Sequence, residues 1–124
     1  MALKRITAPT VDLVTLAQIK QHCRVDHNDD DNILTFYAKA AISYLETRKG
    51  MMGLAFMQQV WELTYDAFPC GNMMIPLRPV ISIDKIEYID ATTGIYVEWA
   101  APNYTTDLAS DNAWIAPVDS WPSP

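Results

Sequence analysis

Apolar residues recur at helical spacing in the first part of the chain and at alternate positions after about residue 57. In V-T-L-A-Q-I-K-Q-H-C-R-V, Leu16, Ile19 and Cys23 share one helical face, and Thr15 with Gln18 makes a T-x-x-Q capping box. This predicts a short amphipathic helix over about 16–24. A longer stripe follows. Ile33, Phe36, Tyr37, Ala40, Ala41, Tyr44 and Leu45 recur at i, i+3, i+4, i+7, i+8, i+11 and i+12. It predicts a helix over about 30–49, with Arg48 and Lys49 in its negative last turn and Gly50 as the C′ residue.

The period then becomes two. Met57, Trp61, Leu63, Tyr65 and Ala67 fall on one face, with Gln58, Glu62, Thr64 and Asp66 opposite. That is the pattern of a half-buried antiparallel strand, ended by F-P-C-G-N. A short strand M-M-I-P-L comes next, and its Pro76 places it at a sheet edge. I-S-I-D-K-I-E-Y-I-D and G-I-Y-V-E-W predict a hairpin turning through Ala91-Thr92-Thr93-Gly94. Weaker strand signals surround Tyr104 and Trp114, residues 1–14 read as extended, and V-D-S-W-P-S-P reads as irregular. Helices followed by strands define an α+β fold: a helical pair (about 16–24 and 30–49), then an antiparallel β region (about 55–116). At 124 residues one domain, 1–124, is expected.

Composition adds a bias toward interfaces. Charged residues make up 19% of the chain, below the usual quarter or so, which permits large surfaces covered by partner chains. Cys23 and Cys70 are far apart and neither has a second Cys or His at metal-ligand spacing, so free thiols are expected and zinc is not. The start M-A-L-K-R-I-T has no apolar run after its basic pair, so no signal peptide is expected, and no apolar stretch is long enough to span a bilayer. Residues 86–124 carry six acids (Glu87, Asp90, Glu98, Asp107, Asp111, Asp119) and no Lys or Arg, so they hold the whole net charge of −6. Such a segment repels phosphate, and sequence-specific nucleic-acid binding is not expected. A solvated acidic surface that favours solubility is the plain reading.

R-V-D-H-N-D-D-D-N-I, residues 24–33, is the densest cluster of titratable groups. Asp26, Asn28 and Asp30 have the D-x-N-x-D spacing of a calcium loop, but such a loop needs Gly at 31 and Glu at 37, where the chain has Asp31 and Tyr37. No apolar surroundings are visible that would raise one carboxyl for acid–base work. The remaining reading is a helix-capping acidic turn of Asp26, Asn28, Asp29, Asp30 and Asp31, with Asn28 or Asp29 capping and Asp30 and Asp31 in the positive first turn. His22 and His27 make no dyad with a nucleophile, and four glycines offer no phosphate-cradling loop. No catalytic residue, metal or cofactor is expected. Met51-Met52 and Met73-Met74 read as gap fillers or as a sticky interface. Trp99, Tyr104, Trp114 and Trp121 lack interleaved basic residues, which leaves two roles, core or anchors against a neighbouring subunit.

The order of motifs narrows this. L-A-Q-I-K-Q-H-C-R-V-D (Leu16, Ile19, Lys20, His22, Cys23, Arg24, Val25, Asp26), an acidic turn, then A-A-I-S-Y-L-E (Ala40, Ala41, Tyr44, Leu45, Glu46) before Gly50 resembles the head–tail connector (adaptor) family of tailed bacteriophages and prophages. The D-A-F-P turn at Asp66–Pro69, the block I-P-L-R-P-V-I-S-I-D-K-I-E-Y-I-D, and Tyr104 followed by Asp107 resemble later family blocks, so the likeness spans about 13–108. Longer members continue past a W-P segment, whereas this chain stops at Trp121-Pro122-Ser123-Pro124, so a short or truncated member lacking C-terminal elements is the expectation.

The resemblance implies a non-enzymatic structural protein of the virion, made in the bacterial cytoplasm. It would form a ring below the portal, twelve-fold to match it, extend the DNA channel, and give a stopper or tail-completion protein its docking surface. Partners would be further copies of itself, the portal and that completion protein, with no membrane. Candidate subunit or portal contacts are Tyr37, Tyr44, Ile86, Tyr88, Ile95, Tyr96 and Trp99, and candidate channel-facing acids are Glu87, Glu98, Asp107 and Asp111. The rival readings are a prophage assembly factor or chaperone that never enters the particle, and an enzyme using the Asp26–Asp31 cluster with a divalent ion.

Overall fold

In a computed structural model, which describes residues 1–46 and 50–122, the chain divides into two compact units, Met1–Thr64 and Tyr65–Pro124. The first holds strand β1 (Ala2–Thr7), helices α1 (Leu16–Cys23) and α2 (Asp31–Leu45), and strand β2 (Val60–Thr64). The second holds β3 (Met73–Met74), β4 (Glu87–Ile89), β5 (Tyr96–Glu98), a single 3-10 turn at Ala101–Asn103, β6 (Tyr104–Asp107) and β7 (Trp114–Pro117). All paired strands are antiparallel. Two helices followed by antiparallel strands make the fold α+β.

Each helix ends for a local reason. α1 begins at the expected capping box: the Gln18 N–H donates to Thr15 Oγ1 (3.3 Å) and the Thr15 N–H donates to Gln18 Oε1 (2.9 Å). It stops at Arg24, which sits in the left-handed region (φ 56°) while the Val25 N–H reaches back to the Lys20 carbonyl (3.0 Å). Leu16 and Ile19 are half-buried as the pattern predicts, but Cys23, on the last turn, is exposed and its place on that side is taken by Lys20.

α2 is shorter than the 30–49 of the periodicity, because Glu46 turns to extended backbone (φ −82°, ψ 166°) and bridges in parallel to Leu54. Arg48 and Lys49, expected in the last turn, lie outside the described residues. Gly50 is required, though not as a left-handed cap: a Cβ there would stand 2.0 Å from the Glu46 carbonyl oxygen. The chain folds back tightly at this point, with the Met51 and Met52 N–H groups donating to the carbonyls of Tyr44 (2.9 Å) and Leu45 (3.1 Å).

The extended start is a strand. Leu3 lies opposite Leu63, Lys4 opposite Glu62 and Arg5 opposite Trp61, and the ladder slips between Arg5 and Thr7. The Lys-Arg pair hides this strand from a hydrophobicity pattern. Its charges are matched across the ladder, by Glu62 and by the Trp61 ring, over which the Arg5 guanidinium lies at 5.9 Å. Along β2, Trp61 and Leu63 are half-buried while Val60, Glu62 and Thr64 are exposed, the predicted alternation.

In the second unit β7 is central, in the order β3-β7-β6, so β3 with its following Pro76 is an edge as expected. Ala113 and Ile115 are the buried centre, joined by Met73 and Trp99. β4 and β5 pair through the predicted turn, with Tyr88 opposite Val97 and Ile89 opposite Tyr96. Gly94 is the turn's left-handed residue (φ 68°), and Asp90 ties the turn by accepting from the Thr92 and Thr93 N–H groups, both at 2.8 Å. Beyond the assigned ladder the Trp99 N–H still donates to the Ile86 carbonyl (2.8 Å), after which the chain enters the turn containing Pro102.

Candidate interaction surfaces

The acidic turn is organised by a lysine. Lys20 Nζ donates to Asn28 Oδ1 (2.6 Å) and to Asp31 Oδ1 (2.8 Å), which ties α1 to the start of α2. The N-cap residue is Asp30, not the expected Asn28 or Asp29, and its side chain makes no capping hydrogen bond. Asn28 and Asp31 are held by Lys20 instead. Asp31 still occupies the positive first turn, and His27 stands 3.8 Å from Asp30 and 4.0 Å from Asp29. Asp26 is exposed to solvent. Among the described residues no group of three His, Cys, Asp or Glu side chains could hold a metal ion.

The aromatic residues divide into two sets. One closes on itself in the second unit. Phe68 stacks on Trp121 (centroids 5.0 Å, planes 18° apart), and Trp99 lies 5.3 Å from Tyr104 and 5.2 Å from Trp121. Tyr88 meets Phe68 edge-on at 6.4 Å. The tail is irregular as expected, yet Trp121 is anchored, its indole N–H donating to the Gly71 carbonyl at 3.1 Å. Of the candidate contact residues, Trp99 is 7% exposed and Ile86 and Tyr88 are half-buried.

The other set faces out. Phe36, Tyr37 and Tyr44 are 66%, 59% and 64% exposed, and Ile33, Ala40 and Ala41 are exposed with them. The apolar stripe read from the sequence is thus mostly the outer face of α2, and only Leu45 of that set is half-buried. A second stripe, Leu34, Ala38, Ile42 and Leu45, is the inner one. In the β4–β5 hairpin Ile89, Ile95 and Tyr96 are likewise exposed. Met73 is buried as a filler, whereas Met51, Met52 and Met74 are exposed. The sequence reading singled out Tyr37, Tyr44, Ile95 and Tyr96. It omitted Phe36, which the same stripe contains, and Ile89, which the register puts beside Tyr96.

Exposed apolar patches of this kind mark surfaces that partners cover.

The candidate channel acids are engaged to different degrees. Asp107 accepts from the Ala109 and Ser110 N–H groups (3.0 and 3.1 Å) and from the Ser110 hydroxyl (2.5 Å). The Ser110 hydroxyl and N–H hold its carboxyl below the ordinary value. The Thr93 N–H and hydroxyl, with the Thr92 N–H, do the same for Asp90. Glu87 pairs with Lys85 at 2.9 Å, while Glu98 and Asp111 are exposed.

Residues 13–67 match the family model of the phage gp6-like head-tail connector protein. The match supports the phage head–tail connector family, the one its motifs resemble. It takes in α1, the Lys20-bridged acidic turn, the outer face of α2, the Glu46 turn and β2. No curated protein and no solved structure matches the chain. No helix among the described residues is long and apolar enough to cross a membrane.

Proposed function

We propose that this protein is a structural component of a phage particle that joins head to tail as a ring below the portal and extends the DNA channel. The observation that carries this reading is the exposed apolar face of α2, which lies inside the segment matched to the connector family. A ring built head to tail needs two different adhesive faces on each subunit, and α2 and the β4–β5 hairpin supply two. The ring is twelve-fold to match the portal, and its further partner is a stopper or tail-completion protein. Catalysis forms no part of this role.

The acids of the second unit fit a channel wall. Asp107 and Asp111 repel the phosphate backbone, so DNA slides past them without sticking. The test is light scattering on a size-exclusion column, first of the protein alone and then with the cognate portal. A ring-sized mass, or comigration near one to one with portal subunits, is expected. A persistent monomer that ignores portal would favour an assembly factor that never enters the particle.

A further inference from the structure

We propose that the outer face of α2 in one copy seats the outer face of the β4–β5 hairpin of the next copy. The partner of this helix is therefore a second copy of the chain, joined head to tail. This rests on the ring reading above and adds which surfaces meet.

Two observations favour this pairing. First, the hairpin alternates, so Glu87, Ile89, Tyr96 and Glu98 share one side while Tyr88 and Val97 take the other. Tyr88 belongs to the aromatic cluster, so the side bearing Ile89 and Tyr96 is the one without a packing partner.

Second, the charges select the occupant. The unit Met1–Thr64 has seven Lys and Arg against seven Asp and Glu, a net of zero, whereas Tyr65–Pro124 has two against eight, a net of −6. The outer face of α2 carries no carboxylate. The helix has one acid, Asp31, already paired with Lys20, and its lysine, Lys39, lies one turn from Phe36 beside the stripe. An apolar patch framed by Glu87 and Glu98 meets no like charge there. Two hairpins face to face would bring four glutamates together, a repulsion that pairing through the hairpins alone would have to overcome.

The test uses cross-linking, because both native thiols are exposed and can be replaced. In a Cys23→Ser, Cys70→Ser background, Ala40→Cys marks the helix face and Ile95→Cys marks the hairpin tip. Both positions are exposed, and circular dichroism melts verify that each variant folds like its parent. The full chain, alone and bound to portal, is treated with a flexible bismaleimide. The expected result is no dimer from either single variant, a dimer from their one-to-one mixture, and a ladder from the double variant. Adding Ile89→Thr and Tyr96→Thr should weaken the ladder at least about tenfold.

A dimer from Ala40→Cys alone would overturn the proposal in favour of a symmetric helix contact. Absence of a ladder in portal-bound protein would overturn it while leaving the connector reading intact. Failure to bind portal at all, with no ladder in free protein, would sink both.

Discussion

Glu87 and Glu98 stand directly opposite each other in the β4–β5 ladder. Like charges at facing positions destabilise a strand pair, and Lys85, 2.9 Å from Glu87, offsets the repulsion from one side only. The hairpin therefore carries a charge arrangement that its own stability does not call for. Glu98→Lys should stabilise the protein by roughly 0.5 kcal/mol, by turning a repulsive pair into an attractive one. The gain should shrink in high salt. Thermal melts at low and high ionic strength check this. If these acids frame the contact with α2 of the next copy, the same substitution should lower plating efficiency despite the higher stability. A variant that is both more stable and fully infective would remove them from that contact.

The turn after α2 depends on the absence of a side chain. A methyl group at residue 50 would lie 2.0 Å from the Glu46 oxygen and 2.6 Å from that of Leu45, both backbone atoms that cannot swing aside. Gly50→Ala should cost about 2 kcal/mol or more. Gly71→Ala is the control, since a Cβ there meets nothing within 4 Å and φ needs no glycine. Urea midpoints of the two variants should differ sharply, and equal midpoints would contradict the tight turn.

Glu46 is the one buried charged residue among those described, at 5% exposure. Its Oε1 accepts from the Phe56 N–H (3.1 Å) and from Gln59 Nε2 (2.9 Å), while Gln59 Oε1 is buried with no partner. Glu46→Ala strands two donors and should cost about 1–3 kcal/mol. Glu46→Gln keeps an acceptor and adds an N–H₂ that the free Gln59 oxygen can receive. It should cost less than about 1 kcal/mol. A larger loss for Gln than for Ala in denaturant melts would mean that the charge itself is needed.

How much of this was legible in the sequence follows from which forces act locally. The capping box at Thr15–Gln18, the hairpin turn at Ala91–Gly94 and the edge position of β3 depend on neighbouring residues, and each is where the pattern put it. β1 was legible only as an extended start because its match to β2 is long-range: Lys4 and Arg5 carry no strand pattern until Glu62 and Trp61 lie opposite. The outer stripe of α2 was legible as a helix but not as exposed. Periodicity reports that apolar residues share a face, and α2 has two such faces, of which the smaller residues Leu34, Ala38 and Ile42 take the inside. Lys20 was legible only as a family position. Its bridge to Asn28 and Asp31 needs the angle between two helices, which no spacing rule supplies.

The acid limb of stability should report the two turn aspartates. Asp90 and Asp107 both have carboxyls held below the ordinary value by hydrogen bonds to the charged form. A group with a lowered folded-state value stabilises the fold above its unfolded value, and that contribution is lost as pH falls through the folded one. Both turns should therefore loosen on acidification and be intact at neutral pH. Ser110→Ala removes the leading cause at Asp107, and its carboxyl should then titrate nearer the ordinary aspartate value. Carboxyl chemical shifts followed through an acid titration check this, and an unchanged Asp107 would refute it.

Trp121 shows that an irregular segment can still hold a unit together. Its ring stacks on Phe68 at 5.0 Å, lies against Trp99 at 5.2 Å, and its N–H reaches the Gly71 carbonyl. Trp121→Ala removes the outermost layer of the cluster together with a hydrogen bond that spans 50 residues of chain. Because the ring is half-buried, the loss should fall near the lower end of buried-tryptophan values, about 2–3 kcal/mol. Trp121→Phe keeps the stack and loses only the hydrogen bond, at about 1 kcal/mol. Near-ultraviolet circular dichroism should change strongly for Ala and weakly for Phe, because the signal follows the ring stack. Ala and Phe variants with the same spectrum and the same melt would mean that the tail does not pack on the cluster in solution.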